Sequence, residues 1–561
     1  MRKIILFCWL FCPFEFFAQG FLRTNNMEIV NDKGAFLLKG IGLGGWVLQE
    51  PYMLQLSGIA RTQQQIRTKI ADVLGEESTE KFYQQWIQNG LTRADIDFLA
   101  SCGFNSIRFP MHYRLFTLPI EDEPIAGENT WIESGFQLTD SLLEWCKAKQ
   151  LYLMLDLHAA PGGQGNDVAI SDASEIRLWQ SVENQRKTIA LWKKLAERYA
   201  DEEWIGGYDI LNEPNYGFEN PDDKNGCSET QNQPLRQLLM EITQTIRTVD
   251  TNHLIVISGN CWGNNYNGIF PLWDKNTVIS FHKYWNYNDE KEIEFVLQMR
   301  EEQNAPLWLS ESGENSNAWF SDAIRLVEKH NIGWCWWTYK RMGVTCPMEV
   351  KIPGDYEKLL EYWRGKGVKP LREQALQIMN QVLENYKFAN TVFHKDYIDA
   401  LFRQTQSDEA LPFKNHHLKS KASLTIAAVD YDLGRSGIAY HDNDSANYRT
   451  STQISLPWNY GNVYRNDGVD IFQDVDSGYY VGRTEAGEWL QYTIEVEKAG
   501  KYSVEIDIFP VEADGRFHLN INGKDTELQK VRLQKGKNTI RFCIDAGGFH
   551  FRSMRVLDGN F

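Results

Sequence analysis

Two acidic residues stand where apolar runs stop: Glu213 in YDILNEPNYG (208–217) and Glu311 in APLWLSES (305–312). The first run ends in Asn212-Glu213-Pro214. Proline has no N–H and cannot continue a strand ladder, so Pro214 marks the strand end and leaves an amide and a carboxyl facing whatever lies above the sheet. A second strand that also ends in a carboxyl can face the first across a cleft. Two such groups meet the requirement for hydrolysing a glycosidic bond: one stays protonated to give its proton to the leaving oxygen, and the other stays ionised to attack the anomeric carbon. Their environments must therefore differ.

Other polar residues at strand ends have types that suit the same chemistry. Asn212 can hydrogen-bond a sugar 2-hydroxyl. Tyr284 can hold an ionised Glu311, and His282 can serve the acid or the sugar. Arg108 can lower the pKa of Glu311 by charge proximity. Trp337 offers a flat apolar floor for a pyranose ring. Glu314 lies three residues beyond Glu311, but the apolar PLWLS puts Glu311 at the strand end.

The elements that must position these residues alternate along the chain. Candidate strands are 36–46, 104–110, 151–158, 206–214, 253–260, 278–285, 305–312 and 332–339. Between them run helical patterns with apolar residues three and four apart, such as QRKTIALWKKLAERYA and PLRQLLMEITQTIRTV, and LREQALQIMNQVLENY follows the last strand. Eight strands alternating with helices predict an α/β fold, a (β/α)8 TIM barrel whose site lies at the C-terminal strand ends. Residues 390–421 read as a linker with one helical piece, KDYIDALFRQT. From 422 onward, short alternating segments separated by Gly and Asp predict an all-β sandwich. The expected division is an export signal at 1–20, the barrel at 21–389, the linker at 390–421 and the sandwich at 422–561.

Composition narrows the class of partner. The 561 residues carry a formal net charge of -17, which argues against nucleic acid. Aromatic residues make up 13%, in keeping with a protein that stacks sugars. The start, MRKIILFCWLFCPFEFFAQG, has the basic, apolar and small-residue order of an export signal, and no other long apolar run predicts a membrane span. The chain is expected to be an exported monomer whose partner is a polysaccharide or oligosaccharide. Seven cysteines outside that start lack any CxxC pair or metal-ligand spacing, so they are read as buried small hydrophobes with room for one disulfide.

LNEP (211–214), LWLSESGEN (307–315), IRFP (107–110), LDLHAAPGGQG (155–165), FHKYW (281–285) and GWCWWTYK (333–340) resemble glycoside hydrolase family 5 over most of 36–387. The resemblance implies a retaining β-glycosidase with Glu213 as acid/base and Glu311 as nucleophile, about 5 Å apart. It also implies subsite roles for Arg108, His112, His158, Asn212, His282, Tyr284 and Trp337, and no cofactor or metal. LHAAPGGQ looks more like the β-glucan branch of that family, including exo-acting β-1,3-glucanases, than like mannanases. The sandwich motifs AVDYDLGRSGIAYHD, YRNDGVDI and LQKGKNTIRF resemble carbohydrate-binding module family 6. Ala427 and Val429 stand where such modules have two calcium-binding glutamates, and a Trp-bearing loop is missing, so this module is expected to be structural or to bind at another surface. Tyr464, Tyr479, Tyr480 and Trp489 are its aromatic candidates for binding, with core packing the expected role of Trp489.

Other motifs point elsewhere and are outweighed. The glycines of 40–45 match GxGxxG, but WVLQEPYML follows where a dinucleotide site needs a helix, so close backbone packing is the better reading. APGGQG lacks the Lys-Ser/Thr of a phosphate loop. Asp156, His158 and His282 lack HxH or HExxH spacing for a metal. Strand alternation sends Trp337 to the face opposite Trp334 and Trp336. The inserts 217–233 and 342–370 are expected to wall the cleft. A β-mannanase, another β-glycosidase or a glycan-binding protein without turnover are the alternatives; a pure binder would need neither carboxylate.

Overall fold

A computed structural model describes residues 20–558 apart from 221, 476–477, 512–514 and 527–529. The expected export signal, but for Gly20, lies outside the described residues. Eight parallel strands close into a barrel: β1 (Lys39–Gly42), β2 (Ser106–His112), β3 (Tyr152–Ala159), β4 (Ile205–Asp209), β5 (Leu254–Ile257), β6 (Thr277–Lys283), β7 (Leu307–Gly313) and β8 (Gly333–Trp337). Each falls within or beside the run that predicts it, and β8 pairs with β1 to close the ring. Both faces of the strands are covered, which is why several read as continuous apolar runs.

Among the described residues, α1 (Arg93–Cys102), α2 (Glu133–Ala148), α3 (Val182–Tyr199), α4 (Gln233–Arg247), α5 (Glu290–Gln303) and α6 (Asn317–Lys329) pack around the strands, and α7 (Arg372–Tyr386) follows β8. In α4 the buried residues Leu235, Leu238, Leu239, Ile242 and Ile246 lie on one face by their spacing. Ser316 caps α6 by accepting the Trp319 N–H at 3.1 Å, so that helix starts directly after the Glu311 strand. A short antiparallel sheet of Arg23–Asn25, Glu28–Asn31 and Gly34–Ala35 lies beside an apolar cluster of Leu22, Ile29, Leu38, Tyr152 and Trp308.

The glycine run at 40–45 serves close packing. A Cβ on Gly42 would lie 2.6 Å from the Trp337 ring, and one on Gly44 would lie 2.5 Å from it. No helix opens there. The insert 342–370 does not wall the cleft: its helix, Tyr356–Trp363, joins α7 and the helices Gln63–Leu74 and Glu76–Gly90 in a separate apolar layer. Leu359 and Leu360 face Ile66, Phe82 and Trp86 there, and burying that apolar surface fixes the segment away from the mouth.

The stretch 390–421 is packed, not loose. Its helix Lys395–Leu401 buries Tyr397 and Leu401, and Tyr397 meets Phe320 of α6 at a ring distance of 5.0 Å. Beyond it stand two sheets. One is built on Trp489–Val496 and Gly536–Ala546, the other on Gly500–Pro510 and Phe549–Asp558. They enclose a core of their own, including Tyr492, Ile540, Phe542 and Phe551. Trp489 is half-buried beneath the Arg541 guanidinium at 3.8 Å, and Tyr464 packs on Tyr479 at 4.7 Å.

A buried polar seam joins sandwich to barrel. Asn466 donates from its amide to the Asn315 carbonyl at 2.8 Å, and Asn317 N–H donates to the Asn466 carbonyl at 2.9 Å. Asn315 donates to the Asn447 carbonyl at 2.8 Å and accepts the Asn447 N–H at 3.0 Å. These asparagines are buried, so each bond replaces one to water and cannot be lost cheaply. The two units are therefore expected to unfold in one calorimetric transition. Asn466→Ala should cost about 1–3 kcal/mol in a denaturant melt, because it orphans buried groups on the barrel side. Two separate transitions, or an unchanged melt, would contradict the coupling.

Candidate active site

The barrel mouth is organised around Arg108 on β2, whose side chain is fully buried. Its Nη1 donates to Glu311 Oε2 at 2.6 Å, and its Nε and Nη2 donate to Asp209 Oδ2 at 3.0 and 2.8 Å. Nη2 also reaches Asn212 Oδ1 at 2.6 Å and lies 3.2 Å from Asp156 Oδ2. One guanidinium thus gathers groups from β3, β4, β7 and the β4 loop. His158 Nδ1 lies 2.8 Å from Asp156, and its Nε2 lies 3.1 Å from the Asn212 amide. Burial lowers the His158 pKa to about 3, so the ring is neutral, donating to Asp156 and accepting from Asn212.

Glu311 and Glu213 sit in different surroundings. The ladder of β7 shifts between Leu309 and Glu311, a bulge at Ser310. Such a shift re-aims the side chains around it. Ser310 Oγ then meets His282 Nε2 at 3.0 Å, and Glu311 meets Arg108 and the Tyr284 hydroxyl, which donates at 2.9 Å. Glu213 adopts a left-handed backbone, with φ 43°, just past β4, and its Oε1 lies 2.6 Å from His282 Nδ1. Burial pushes Glu213 well above the ordinary carboxylate range, and the charge of Asp167 pushes it further. Burial also raises Glu311, against the opposing charges of His282 and Arg108. Arg108 lowers Glu311 as expected, but desolvation outweighs it.

One oxygen of each carboxyl and a His282 nitrogen lie within 4.8 Å of one another, close enough in principle to hold a cation. The donor set does not favour one: Arg108 already presents its charge to Glu311, and both His282 nitrogens are engaged.

A cleft of about 870 Å³ opens above these groups. Of the residues the sequence singles out, Glu213, Glu311, His158, His282, Tyr284 and Trp337 line it. Trp337 stacks on His158 at 4.9 Å and donates its indole N–H to the Tyr52 hydroxyl at 2.9 Å. Trp334 and Trp336 face away and pack on Phe402 and Phe320, as alternation requires. Arg108 and Asn212 lie beneath the cleft and act on it through Glu311 and His158. His112 is buried behind it, 3.0 Å from Asp172. Glu314 lines the cleft, but Arg108 and Tyr284 reach Glu311 instead.

Several residues here escape a reading of the sequence. Asp209 carries the signal of an acid inside an apolar strand. Glu50 lines the cleft, largely buried, its pKa raised well above the usual range by burial and then by Glu314. Trp262 follows Cys261, which is disulfide-bonded to Cys227. The insert 217–233 therefore buttresses the cleft loop from behind and does not line the cleft itself. Trp285, Arg449 and Thr450 complete the wall.

A closed (β/α)8 barrel with two unlike carboxyls facing each other at its mouth has the build of a glycoside hydrolase. Residues 68–343, which hold β2 to β8 of the barrel, match the family model for cellulase (glycosyl hydrolase family 5). Residues 465–561 match carbohydrate binding module (family 35), which corrects the family 6 expectation. The motifs behind that expectation report strand alternation and turns, which specify a sandwich but not its family.

The chain is 30% identical over 271 residues to "Beta-xylosidase" of Phanerodontia chrysosporium, covering 47% of this chain and 52% of that protein. It is 24% identical over 384 residues to "Endoglucanase C" of Acetivibrio thermocellus, covering 57% and 95%. It is 25% identical over 278 residues to "Probable glucan 1,3-beta-glucosidase A" of Aspergillus clavatus, covering 48% and 60%. The chain thus spans about half the length of the first of these relatives.

Asp167 is the first charge that raises Glu213, whereas the chief charges on Glu311 are His282, Glu213, Arg108 and His158. In Asp167→Asn the Glu213 carboxyl should therefore titrate at lower pH than in the parent protein, read by carboxyl ¹³C NMR, with Glu311 in place. An unmoved Glu213 titration would contradict the electrostatic account.

Proposed function

We propose that the protein is an exported retaining β-glycoside hydrolase acting on a β-glucan, with Glu213 as general acid/base and Glu311 as nucleophile. One observation carries the reading: the two carboxyls approach within 4.8 Å, Glu311 on Arg108 and Tyr284 and Glu213 on His282. Retaining enzymes hold them about 5–5.5 Å apart, whereas inverting ones leave about 6.5–9.5 Å for a water.

In the first step Glu311 attacks the anomeric carbon while Glu213 gives its proton to the leaving oxygen. Arg108 and Tyr284 aim Glu311 and favour its ionised form against the desolvation that opposes it. Desolvation and the Asp167 charge keep the proton on Glu213 until the leaving oxygen needs it. Glu213, now ionised, takes a proton from water, which opens the glycosyl ester and regenerates Glu311. Asn212, its side-chain oxygen held by Arg108 and its amide on His158, fixes the His158 ring beneath the sugar, and Trp337 carries the ring face.

Two relatives whose names refer to glucan or glucanase activity support β-glucan as the substrate. The Cys227–Cys261 disulfide supports an oxidising compartment and so export.

The test is product release from β-1,3-, β-1,4-, β-1,6- and mixed-linkage glucans, with mannan and an aryl β-xyloside alongside. One glucan should yield sugar whose first-formed anomer, by ¹H NMR, is β. Glu311→Ala should lose about 10⁴-fold or more, the scale on which a lost nucleophile acts. An α anomer formed first would overturn the retaining mechanism, and release only from mannan or the xyloside would overturn the glucan.

A further inference from the structure

One segment of the sandwich unit reaches the cleft. Residues 443–456 lie between the two family matches and are covered by neither. They carry the short helix Arg449–Thr452, and Arg449 and Thr450 line the cleft. The segment is pinned on both sides of its tip. The Asn315–Asn447 pair holds one side, and on the other Ser451 Oγ accepts the Tyr287 N–H at 2.9 Å and donates to Glu292 at 3.1 Å.

The contact at the tip is with Trp285, the residue after Tyr284. Trp285 has φ 51°, a left-handed conformation unfavourable for a bulky side chain, and its surroundings hold it there. Its indole N–H donates to the Glu314 carbonyl at 2.9 Å, and its own carbonyl accepts the Thr450 N–H at 2.8 Å. The Arg449 guanidinium lies over its ring, 3.6 Å from the centroid. Thr450 Oγ1 also donates to the Tyr284 carbonyl at 3.2 Å. Two residues supplied by the sandwich unit thus stand one side chain away from the group that holds Glu311.

Arg449 is exposed, and among the described residues its guanidinium makes no ion pair or hydrogen bond. A planar cation seated over an indole, with its N–H groups unengaged in an open cleft, is a preorganised donor. The same cleft carries Glu50, Asp167, Glu292 and Glu314 besides the catalytic pair, against Lys291 and Arg449, and this excess of acids disfavours an anionic sugar. The acceptors that fit are the neutral hydroxyls of a glycan. The rings of Tyr284 and Trp285, 5.2 Å apart, separate Arg449 from Glu311, so the sugar it meets lies outside the one that reacts.

We propose that the sandwich unit completes the substrate cleft: Arg449, on its Trp285 platform with Thr450 fixing the backbone beneath, forms a subsite for a neutral sugar unit beyond the reacting one and sets the preference for longer chains. The proposal rests on the glycosidase reading above and adds a binding residue from outside the barrel.

The test uses the full chain with Arg449→Ala and Arg449→Lys, on an aryl β-glucoside and on a β-gluco-tetrasaccharide of the linkage the protein cleaves. For Arg449→Ala the loss in kcat/KM should be at least tenfold greater on the tetrasaccharide than on the aryl glucoside, with the difference in KM. Lysine should restore only part of it, since it lacks the planar fork. Equal losses on both substrates would make Arg449 merely structural and overturn the subsite, as would no loss on either. If the parent protein turns over no glycoside, the glycosidase reading fails by itself. The subsite is then judged by calorimetry with cellotetraose and laminaritetraose on Glu311→Ala with and without Arg449→Ala. At least tenfold weaker binding in the double variant supports it, and equal binding or none overturns it.

Discussion

The site depends on a single buried cation. Arg108 has no water to solvate it, so it must be surrounded by acceptors, and the barrel supplies them from several strands at once. Three carboxyls for one guanidinium is an excess of negative charge, and protons make up the balance: burial, opposed chiefly by Arg108, leaves Asp156 at about 7 and Asp209 at about 6. Glu311 makes the shortest of the carboxylate contacts and shares Arg108 with neighbours that can give way by protonating. Ion pairing, strand register and the ionisation of one carboxyl are therefore parts of one arrangement. Glu213 lies outside Arg108's hydrogen-bonding reach and keeps its proton for the complementary reason.

The walls of the cleft obey a different constraint. Glu213, Cys261, Trp262, Trp285 and Glu314 all have positive φ without being glycine. Conformations of this kind cost of order 1–3 kcal/mol each and persist only where neighbours over-determine them. Here the neighbours come from distant parts of the chain: the disulfide to the 217–233 insert, and the sandwich beside Trp285. The cleft is shaped less by its own loops than by what stands behind them.

The barrel was legible in the sequence because its strands follow apolar runs and helices such as α3 and α4 carry a 3.6-residue apolar stripe, whereas α5 buries only Ile293 and Val296 and gave no such signal. Glu213 and Glu311 were legible because a carboxyl at such a boundary has few structural uses. Glu50 was not, since it follows Trp-Val-Leu-Gln with no strand to mark a boundary. Asp209 sits four residues before Glu213 inside the apolar run, where its need for Arg108 cannot be seen. The inserts 217–233 and 342–370 show the same limit: their lengths are visible, but their paths depend on Cys227 meeting Cys261 and on Leu359 finding the Ile66 layer. Arg449 was the least legible of all. It lies 138 positions after Glu311 in the sequence and acquires meaning only through the fold of a second unit.

The seam at Asn315–Asn317 also orders events in time. The chain is made from its N-terminus, and Asn315 precedes its partner Asn466 by 151 residues. At about 5–20 residues per second, the barrel strands are complete roughly 6–26 s before Asn466, which fastens the Glu311 loop, exists. During that interval the loop has no tether, Trp285 has no Arg449 above it, and the catalytic mouth is unfinished. A newly made chain thus passes through a stage with its barrel formed and its site still open, and maturation of the site waits on synthesis of the second unit.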